Sequence, residues 1–180
     1  MIQYNSVLIL SYFFICLIVL ILNYISGGIT NRLFFSSYRN SLLSPLTYVR
    51  LVTHSLGHDG WMHFMSNFLY ILLVGPMIEE KYGAILLLKM MLITSLVIGV
   101  FNFIFSHKAI LGSSGIVYML ITLSSAVNLE SGKIPLTLIL ICLFYIINEI
   151  ISSIFKLDNV SHFSHFIGAV CGIVFIFFPL

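Results

Sequence analysis

Charged residues are scarce in this sequence: Lys, Arg, Asp and Glu make up only 8% of its 180 residues, and the formal net charge is +2. So small a positive excess gives no electrostatic basis for binding nucleic acid, and no such partner is expected. Hydrophobic residues make up 60% of the chain, and the mean hydropathy is +1.13. A soluble domain of this size could not bury so much apolar surface. The sequence therefore predicts an integral membrane protein without a soluble domain.

Cysteine is scarce as well, and its positions argue against a disulfide scaffold. The three cysteines, Cys16, Cys142 and Cys171, all lie within apolar stretches. Thiols in such stretches are not expected to pair, and they do not indicate a redox compartment.

Long apolar runs dominate what remains, and a membrane-spanning helix needs about 20 such residues. The runs cover residues 6–26, 61–78, 84–105, 112–128, 136–153 and 161–178. The first is long for the apolar part of a signal peptide and has no basic residue before it, so we expect it to be retained. The sequence predicts an all-α membrane protein, with residues 1–180 forming a single six-helix bundle. The long first connection, 27–60, contains apolar stretches and is expected to fold back on the bundle or lie at the membrane interface.

Basic residues give a weak indication of orientation, since six spans place both termini on one side. The side of the long connection carries Arg32, Arg39, Arg50, Lys108 and Lys156. The side of the termini carries Lys81 and Lys133, with Lys89 about one turn into the third span. The positive-inside rule would therefore place the connection in the cytoplasm.

Polar side chains within the apolar runs are costly in hydrocarbon, so their positions are informative. In the stretch 53–67, His63 and Asn67 lie four residues apart and share one helix face. The plainer interpretation is that both simply join helices by hydrogen bonds.

Two further polar clusters begin the fourth and sixth runs. The sequence G-S-S-G at 112–115 is followed by Tyr118, and its plainer interpretation is a helix start capped by Ser113 or Gly112. On the sixth run His165, Gly168 and Gly172 share one face. There the plainer interpretation is close helix packing at small residues, with His165 a hydrogen-bonded interface histidine.

Six alternating spans would bring His63, Ser114 and His165 to one side of the membrane, each within about one turn of its helix start. A hydroxyl, a histidine to take its proton and further hydrogen-bond donors are what a nucleophilic hydrolase requires. The combination therefore indicates hydrolytic chemistry.

Two other chemistries fit less well. His54, His58 and His63 could bind zinc, but the chain lacks H-E-x-x-H and the only nearby carboxylate is Asp59, so no metal is expected. A transporter would favour internal repeats, and the two halves show none. The most transport-like residues are Lys89 and Glu149, which snorkelling and a buried polar contact explain equally well.

Together the clusters resemble the rhomboid intramembrane serine proteases, over about residues 48–172. The motifs are H-x-x-x-H-x-x-x-x-H-x-x-x-N at 54–67, G-S-S-G at 112–115 and H-x-x-G-x-x-x-G at 165–172. E-x-K-x-G at 79–83 is similar to the loop after the family's second helix, with Lys81 where arginine is usual. Arg50 is similar to the arginine of the family's Trp-Arg element, whose tryptophan is replaced by Val49.

The resemblance implies a dyad without aspartate, in which Ser114 is the nucleophile and His165 the general base. It implies that His63, Asn67 and the Ser114 backbone N–H form the oxyanion hole. The supporting positions that it implies are Tyr118, stacked on His165, with Gly112, Gly115, Gly168, Gly172, His54 and His58. His162 is the competing base, but it lacks glycines three and seven residues later.

The resemblance further implies an endopeptidase that needs no cofactor and cleaves single-span membrane proteins within the lipid bilayer. Substrates would enter laterally past the fifth helix and the loop after it, where Glu149 and Lys156 lie. The family topology implies a multi-pass protein of the bacterial inner membrane with cytoplasmic termini, against the charge count. The alternative is a catalytically inactive relative that binds membrane helices.

Overall fold

The computed structural model describes residues 5–126, 162–178 and scattered positions between 136 and 151. Apart from one 3₁₀ turn at His54–Leu56, these ranges contain the following helices. They are α1 (Val7–Ile25), α2 (Ile29–Phe34), α3 (Pro45–Thr53), α4 (Trp61–Tyr82), α5 (Ala84–Phe105), α6 (Ser114–Ser125) and α7 (His162–Phe177).

Within the described ranges, α1, α4 and α5 are long and apolar enough to cross a membrane. Apolar helices of 10–17 residues follow at Ser114–Ser125 and Phe163–Phe177. The fold is therefore a helical membrane fold, as predicted. Most of the predicted fifth span, 136–153, lies outside the described residues, and the count of six spans stays a prediction.

Helix α4 differs from its predicted boundary, because Gly75-Pro76 does not end it. The helix continues to Tyr82 with Pro76 inside it. A proline removes one backbone hydrogen bond, which membrane helices tolerate when neighbours compensate. The additional turn carries Glu79, which accepts hydrogen bonds from the Ser6 hydroxyl and from the backbone N–H groups of Leu8 (3.0 Å) and Ile9 (3.1 Å). Glu79 thus caps α1, where a negative charge is favoured.

Aromatic residues fill the space between α1 and the start of α4. The ring centroids of Phe64 and Phe68 lie 4.6 Å apart, and Tyr12 packs on Phe68 at 5.7 Å. Phe64 and Phe68 are each 1% exposed. This cluster gives the loop before α4 a rigid support, because fully buried rings in a packed core have little room to move.

The connection from 27 to 60 folds against α5 through α3. Gly99 of α5 allows this, since a Cβ there would lie 2.1 Å from the carbonyl oxygen of Leu51. Arg50 is buried, and its guanidinium lies 4.5 Å from the centre of the Tyr38 ring. The connection therefore packs on the helices through specific contacts.

A second contact ties this connection to the segment that precedes α6. Ser37 and Ile110 exchange two antiparallel backbone hydrogen bonds of 2.9 Å each. The Asn102 side chain donates to the carbonyl oxygens of Ser37 and Lys108, both at 3.1 Å. The loop that leads to the G-S-S-G motif is held from both sides.

Candidate active site

The backbone before α6 turns sharply at Gly112, which has a φ of +121°. Its N–H donates to the carbonyl oxygen of His54 at 2.9 Å. A Cβ at this position would lie 2.6 Å from Nε2 of His63. Both the backbone angle and the close imidazole therefore require glycine here.

Ser113 is completely buried, and its hydroxyl faces away from α6. Its Oγ lies 2.9 Å from the carbonyl oxygen of Ser55, 3.0 Å from Oη of Tyr12 and 3.3 Å from Nε2 of His58. The predicted capping role is wrong for its side chain: Ser113 holds the N-cap position, but its hydroxyl does not cap the helix. Tyr12 Oη also donates to the Ser55 carbonyl oxygen at 2.7 Å, so His58 Nε2 is the buried group that depends on Ser113 for a partner.

His58 forms a second serine–histidine pair with Ser113, but this pair is unsuited to catalysis. Its ring packs against both Phe64 and Phe68, with centroid distances of 5.4 and 5.9 Å. Burial, together with the nearby His63, lowers the pKa of His58 to about 3, so it is a poor base at neutral pH. A serine with no exposed surface also cannot reach a substrate.

Ser114, the first residue of α6, lies in a different environment. It is half-buried and lines a cavity of about 670 Å³. The cavity is also lined by His63, Asp59, Ser66, Lys108 and Ser164. Of the two adjacent serines, only Ser114 lines this cavity.

His63 and Asn67 lie on the α4 face next to Gly112. Nδ1 of His63 is 2.8 Å from Oδ1 of Asp59. Nδ2 of Asn67 donates to the His63 carbonyl oxygen at 3.0 Å and would lie 3.9 Å from a Cβ on Gly112. Nitrogen atoms of both side chains thus lie beside the backbone that leads into Ser114.

Glycine residues bring α6 and α7 into backbone contact. A Cβ on Gly168 would lie 2.1 Å from the carbonyl oxygen of Gly115, and a Cβ on Gly115 would lie 3.3 Å from that of Ser164. Further along, a Cβ on Gly172 would lie 2.7 Å from Cβ of Thr122. The two helices therefore meet at Gly115, the residue that follows Ser114 in α6.

His165 lies on the α7 side of this crossing. Its imidazole stacks on the Tyr118 ring, with centroids 4.3 Å apart and planes inclined by 9°. Tyr118 is one helical turn after Ser114, so the stacking holds His165 against the helix that begins with the serine. The side chain of His162, like Glu149 and Lys156, lies outside the described residues.

His54 supports the site from the 3₁₀ turn. Its Nε2–H donates to the carbonyl oxygen of Ser95 at 2.9 Å, and burial lowers its pKa to about 4. Ser95 and Tyr12 take part in this framework, although no sequence motif singled them out. Ser95 contributes a backbone carbonyl oxygen, which no side chain can indicate, and Tyr12 is one of several polar residues in α1.

The family model for the rhomboid domain matches residues 45–180. The rhomboid protease GluP of Bacillus subtilis (strain 168) is 29% identical over 167 residues, which are 90% of this chain and 33% of that protein. The rhomboid protease GlpG of Haemophilus influenzae (strain ATCC 51907 / DSM 11121 / KW20 / Rd) is 26% identical over 130 residues, 69% of this chain and 66% of that protein. The chain thus spans a third of the first relative and just under two thirds of the second.

Proposed function

Since this chain belongs to the rhomboid family, we propose that it is an intramembrane serine endopeptidase that uses Ser114 and His165 as a catalytic dyad. The observation that carries the proposal is the position of Ser114. It lines a cavity beside His63 and starts the helix against which His165 is stacked. The names of both relatives as rhomboid proteases support the same activity.

The proposed reaction begins with attack of Ser114 Oγ on the scissile carbonyl carbon. His165 takes the hydroxyl proton and returns it to the leaving amine, and a water molecule then hydrolyses the acyl-enzyme. A water-filled cavity within the membrane supplies that water, and such cavities are where non-helical backbone like that of Gly112 is tolerated at membrane depth.

The developing oxyanion would be stabilised by His63, by Asn67 and by the backbone N–H of Ser114. That N–H has no partner within its own helix, because the first N–H groups of a helix never do. Asn67 uses one amide hydrogen on the His63 carbonyl oxygen and retains a second for the oxyanion.

The proposed substrates are single-span membrane proteins. In a helix every backbone N–H and C=O is paired, so the scissile bond must unwind before a serine can reach it. Small or helix-breaking residues near the cleaved bond should therefore favour cleavage. Access would be lateral, past residues 136–153 and the loop that follows them.

Cleavage of a co-expressed single-span reporter tests the proposal. Ser114→Ala and His165→Ala should each abolish the product, because one removes the nucleophile and the other the base. Ser124→Ala is the matched control, since it removes a hydroxyl that bonds only within the far end of α6. Product that persists at the normal level in Ser114→Ala would refute the assignment.

An inactive helix-binding relative is the second candidate. Such a protein would not react with a fluorophosphonate probe at Ser114, although it would still capture single-span helices. The presence of both Ser114 and His165 favours the enzyme, because a function must be argued from its site.

A further inference from the structure

We propose that Asp59 is a positioning residue for His63: it fixes a proton on Nδ1, so that His63 stabilises the oxyanion as a doubly protonated imidazolium. This inference rests on the proposed protease function and adds a member to its oxyanion hole. The motif pattern of the sequence assigns no role to Asp59, which lies between His58 and Gly60.

The contact is direct and local. Oδ1 of Asp59 lies 2.8 Å from Nδ1 of His63, four residues later. Asp59 precedes α4 by two residues, where the helix N-terminus favours a negative charge. The opposite ring nitrogen, Nε2, is the one directed at Gly112, as the 2.6 Å separation from a Cβ there indicates. One ring nitrogen faces the carboxylate, and the other faces the backbone before the nucleophile.

The proton count then follows from the chemistry of the two groups. A carboxylate only accepts hydrogen bonds, so the proton in this contact belongs to Nδ1. A neutral imidazole carries one N–H, which leaves its Nε2 an acceptor. An acceptor would repel an oxyanion. His63 can donate from Nε2 only when both nitrogens are protonated, and such a charged donor is about twice as strong as a neutral one.

Other charged and titratable groups surround this pair. The His58 ring lies edge-on to His63 with centroids 5.1 Å apart, and its lowered pKa leaves it neutral. His54 and Lys108 line the same cavity from the 3₁₀ turn and from the loop after α5, and His165 belongs to the adjoining helix α7. Arg32 and Asp59 both line a second cavity of about 560 Å³. Among the cavity-lining residues that the structure describes, Asp59 is the acidic one.

The proposal has a kinetic signature. Because Asp59 holds the proton on Nδ1, the proton on Nε2 is the one that contacts the oxyanion, and catalysis needs both. Activity should therefore fall at alkaline pH, and this fall forms the alkaline limb of the pH profile. The substitution Asp59→Asn replaces the carboxylate with an amide, which can donate a hydrogen to Nδ1. A neutral His63 would then carry its proton on Nε2.

The first test is the pH dependence of kcat/KM for a purified single-span substrate. Asp59→Asn should lower the plateau by roughly tenfold, less than the loss of about 10²–10³ expected when an oxyanion donor is removed outright. It should also abolish the alkaline limb in the same pH window. Glu80→Gln, the same change on an exposed carboxylate at the other end of α4, is the control and should change neither. The proposal would be overturned if the pH profile of kcat/KM for Asp59→Asn had the same shape as that of the unaltered enzyme and differed only by a constant factor.

The second test does not depend on cleavage. Nitrogen NMR of the histidine-labelled protein in micelles reports which ring nitrogens are protonated, and the His63 signal is assigned by its loss in His63→Gln. Both nitrogens should be protonated below the limb, and Asp59→Asn should give a neutral ring protonated at Nε2. A neutral His63 with a bare Nε2 at the pH of full activity would refute the inference. If the unaltered protein shows the expected spectrum but cleaves nothing, the protease proposal fails while the assignment of Asp59 stands.

Discussion

At the scale of single residues, burial separates two adjacent serines that are chemically alike. Ser113 has no exposed surface and three polar neighbours, whereas Ser114 is half-exposed to the cavity. Spacing and family resemblance were enough to select Ser114 as the candidate nucleophile. They could not reveal the surroundings of Ser113, because Tyr12 and Ser55 lie 101 and 58 residues away in the chain.

The two serines should therefore respond oppositely to alanine substitution. Ser113→Ala removes the partner of the buried Nε2 of His58, although Tyr12 Oη still donates to the Ser55 carbonyl oxygen. It should lower the free energy of unfolding by about 1–3 kcal/mol. Ser114→Ala should leave stability nearly unchanged while it removes activity. Unfolding of both variants in detergent micelles gives the comparison, and an equal loss of stability would contradict it.

Asn67 should influence the transition state more than substrate binding. Asn67→Ala is expected to lower kcat by about 10²–10³ with little change in KM, as for other lost oxyanion donors. Steady-state kinetics on purified protein measure both constants. Because Asn67 also bonds to the His63 carbonyl oxygen, the unfolding midpoint is recorded in parallel. A change confined to KM would place Asn67 in substrate binding instead.

At the scale of helices, glycine contacts decide how closely the elements approach. Gly168 and Gly172 were predicted to allow close packing, and the structure places them against Gly115 and Thr122 of α6. The equally close contact of Gly99 with Leu51 was not predicted, because the sequence indicates that the 27–60 connection folds back on the bundle but not which helix it meets. A local pattern also could not show that α4 would continue beyond Pro76, where Glu79 reaches the start of α1.

Alanine substitutions at three helical glycines should form a graded series. Gly168→Ala should be the most damaging, since its methyl group would meet a backbone carbonyl at 2.1 Å. Gly172→Ala should be intermediate, at 2.7 Å from Thr122 Cβ and 2.9 Å from the Met119 carbonyl oxygen. Gly75→Ala is the matched control, because the nearest atoms to its methyl group are side-chain carbons of Ile9, at 2.7 Å or more, rather than backbone atoms.

We expect the unfolding free energy to fall by more than about 2 kcal/mol in Gly168→Ala and by less than about 1 kcal/mol in Gly75→Ala. Cleavage should follow the same order, since the α6–α7 contact holds His165 against the helix that begins with Ser114. A reversed order would show that this contact is more adaptable than its geometry implies.

At the scale of the whole molecule, composition alone was sufficient to predict a helical membrane protein. Hydropathy located the long helices α1, α4 and α5, because each contains a long and mostly apolar run. The end of α6 was placed at 128 and lies at Ser125. Hydropathy marks where apolar residues stop, and it does not register where backbone hydrogen bonding stops.

Stability of the molecule should fall in mild acid because His54 and His58 are buried in their neutral forms. Their pKa values are lowered to about 4 and about 3, from an ordinary value near 6.5. In the unfolded chain both histidines bind a proton as the pH falls below about 6.5. In the folded chain they stay neutral until the pH approaches 4 and 3, respectively. Above pH 7 these two residues should not make the free energy of unfolding depend on pH. Between pH 6.5 and 4, each histidine should lower that free energy by up to about 1.4 kcal/mol for each pH unit of acidification.

Unfolding free energies measured from pH 7.5 to 4.5 in micelles check this dependence. His54→Gln is the informative control, since its amide can still donate to the Ser95 carbonyl oxygen but does not titrate. It should reduce the acid slope by about half. An unchanged slope in that variant would mean that other groups govern the acid sensitivity.

The orientation of the molecule is open to a direct measurement. The family topology places the termini in the cytoplasm, whereas the basic residues of the 27–60 connection favour the reverse. We expect the family topology to hold, because three separate motifs support it. The measurement uses a reporter that is active only in the cytoplasm, fused after Leu180, and we expect it to be active. A C-terminal reporter that reads out as exterior would contradict this topology.

The paired backbone groups of Ser37 and Ile110 have one more consequence. Their two amide hydrogens are locked in a segment that otherwise lacks regular structure, so they should exchange with deuterated solvent much more slowly than their neighbours. Both hydrogens are released by the same event, the separation of the segment at Ser37 from the segment at Ile110. Matching exchange rates at these two positions would therefore show that the two segments separate as one unit in the resting protein, without any substrate present.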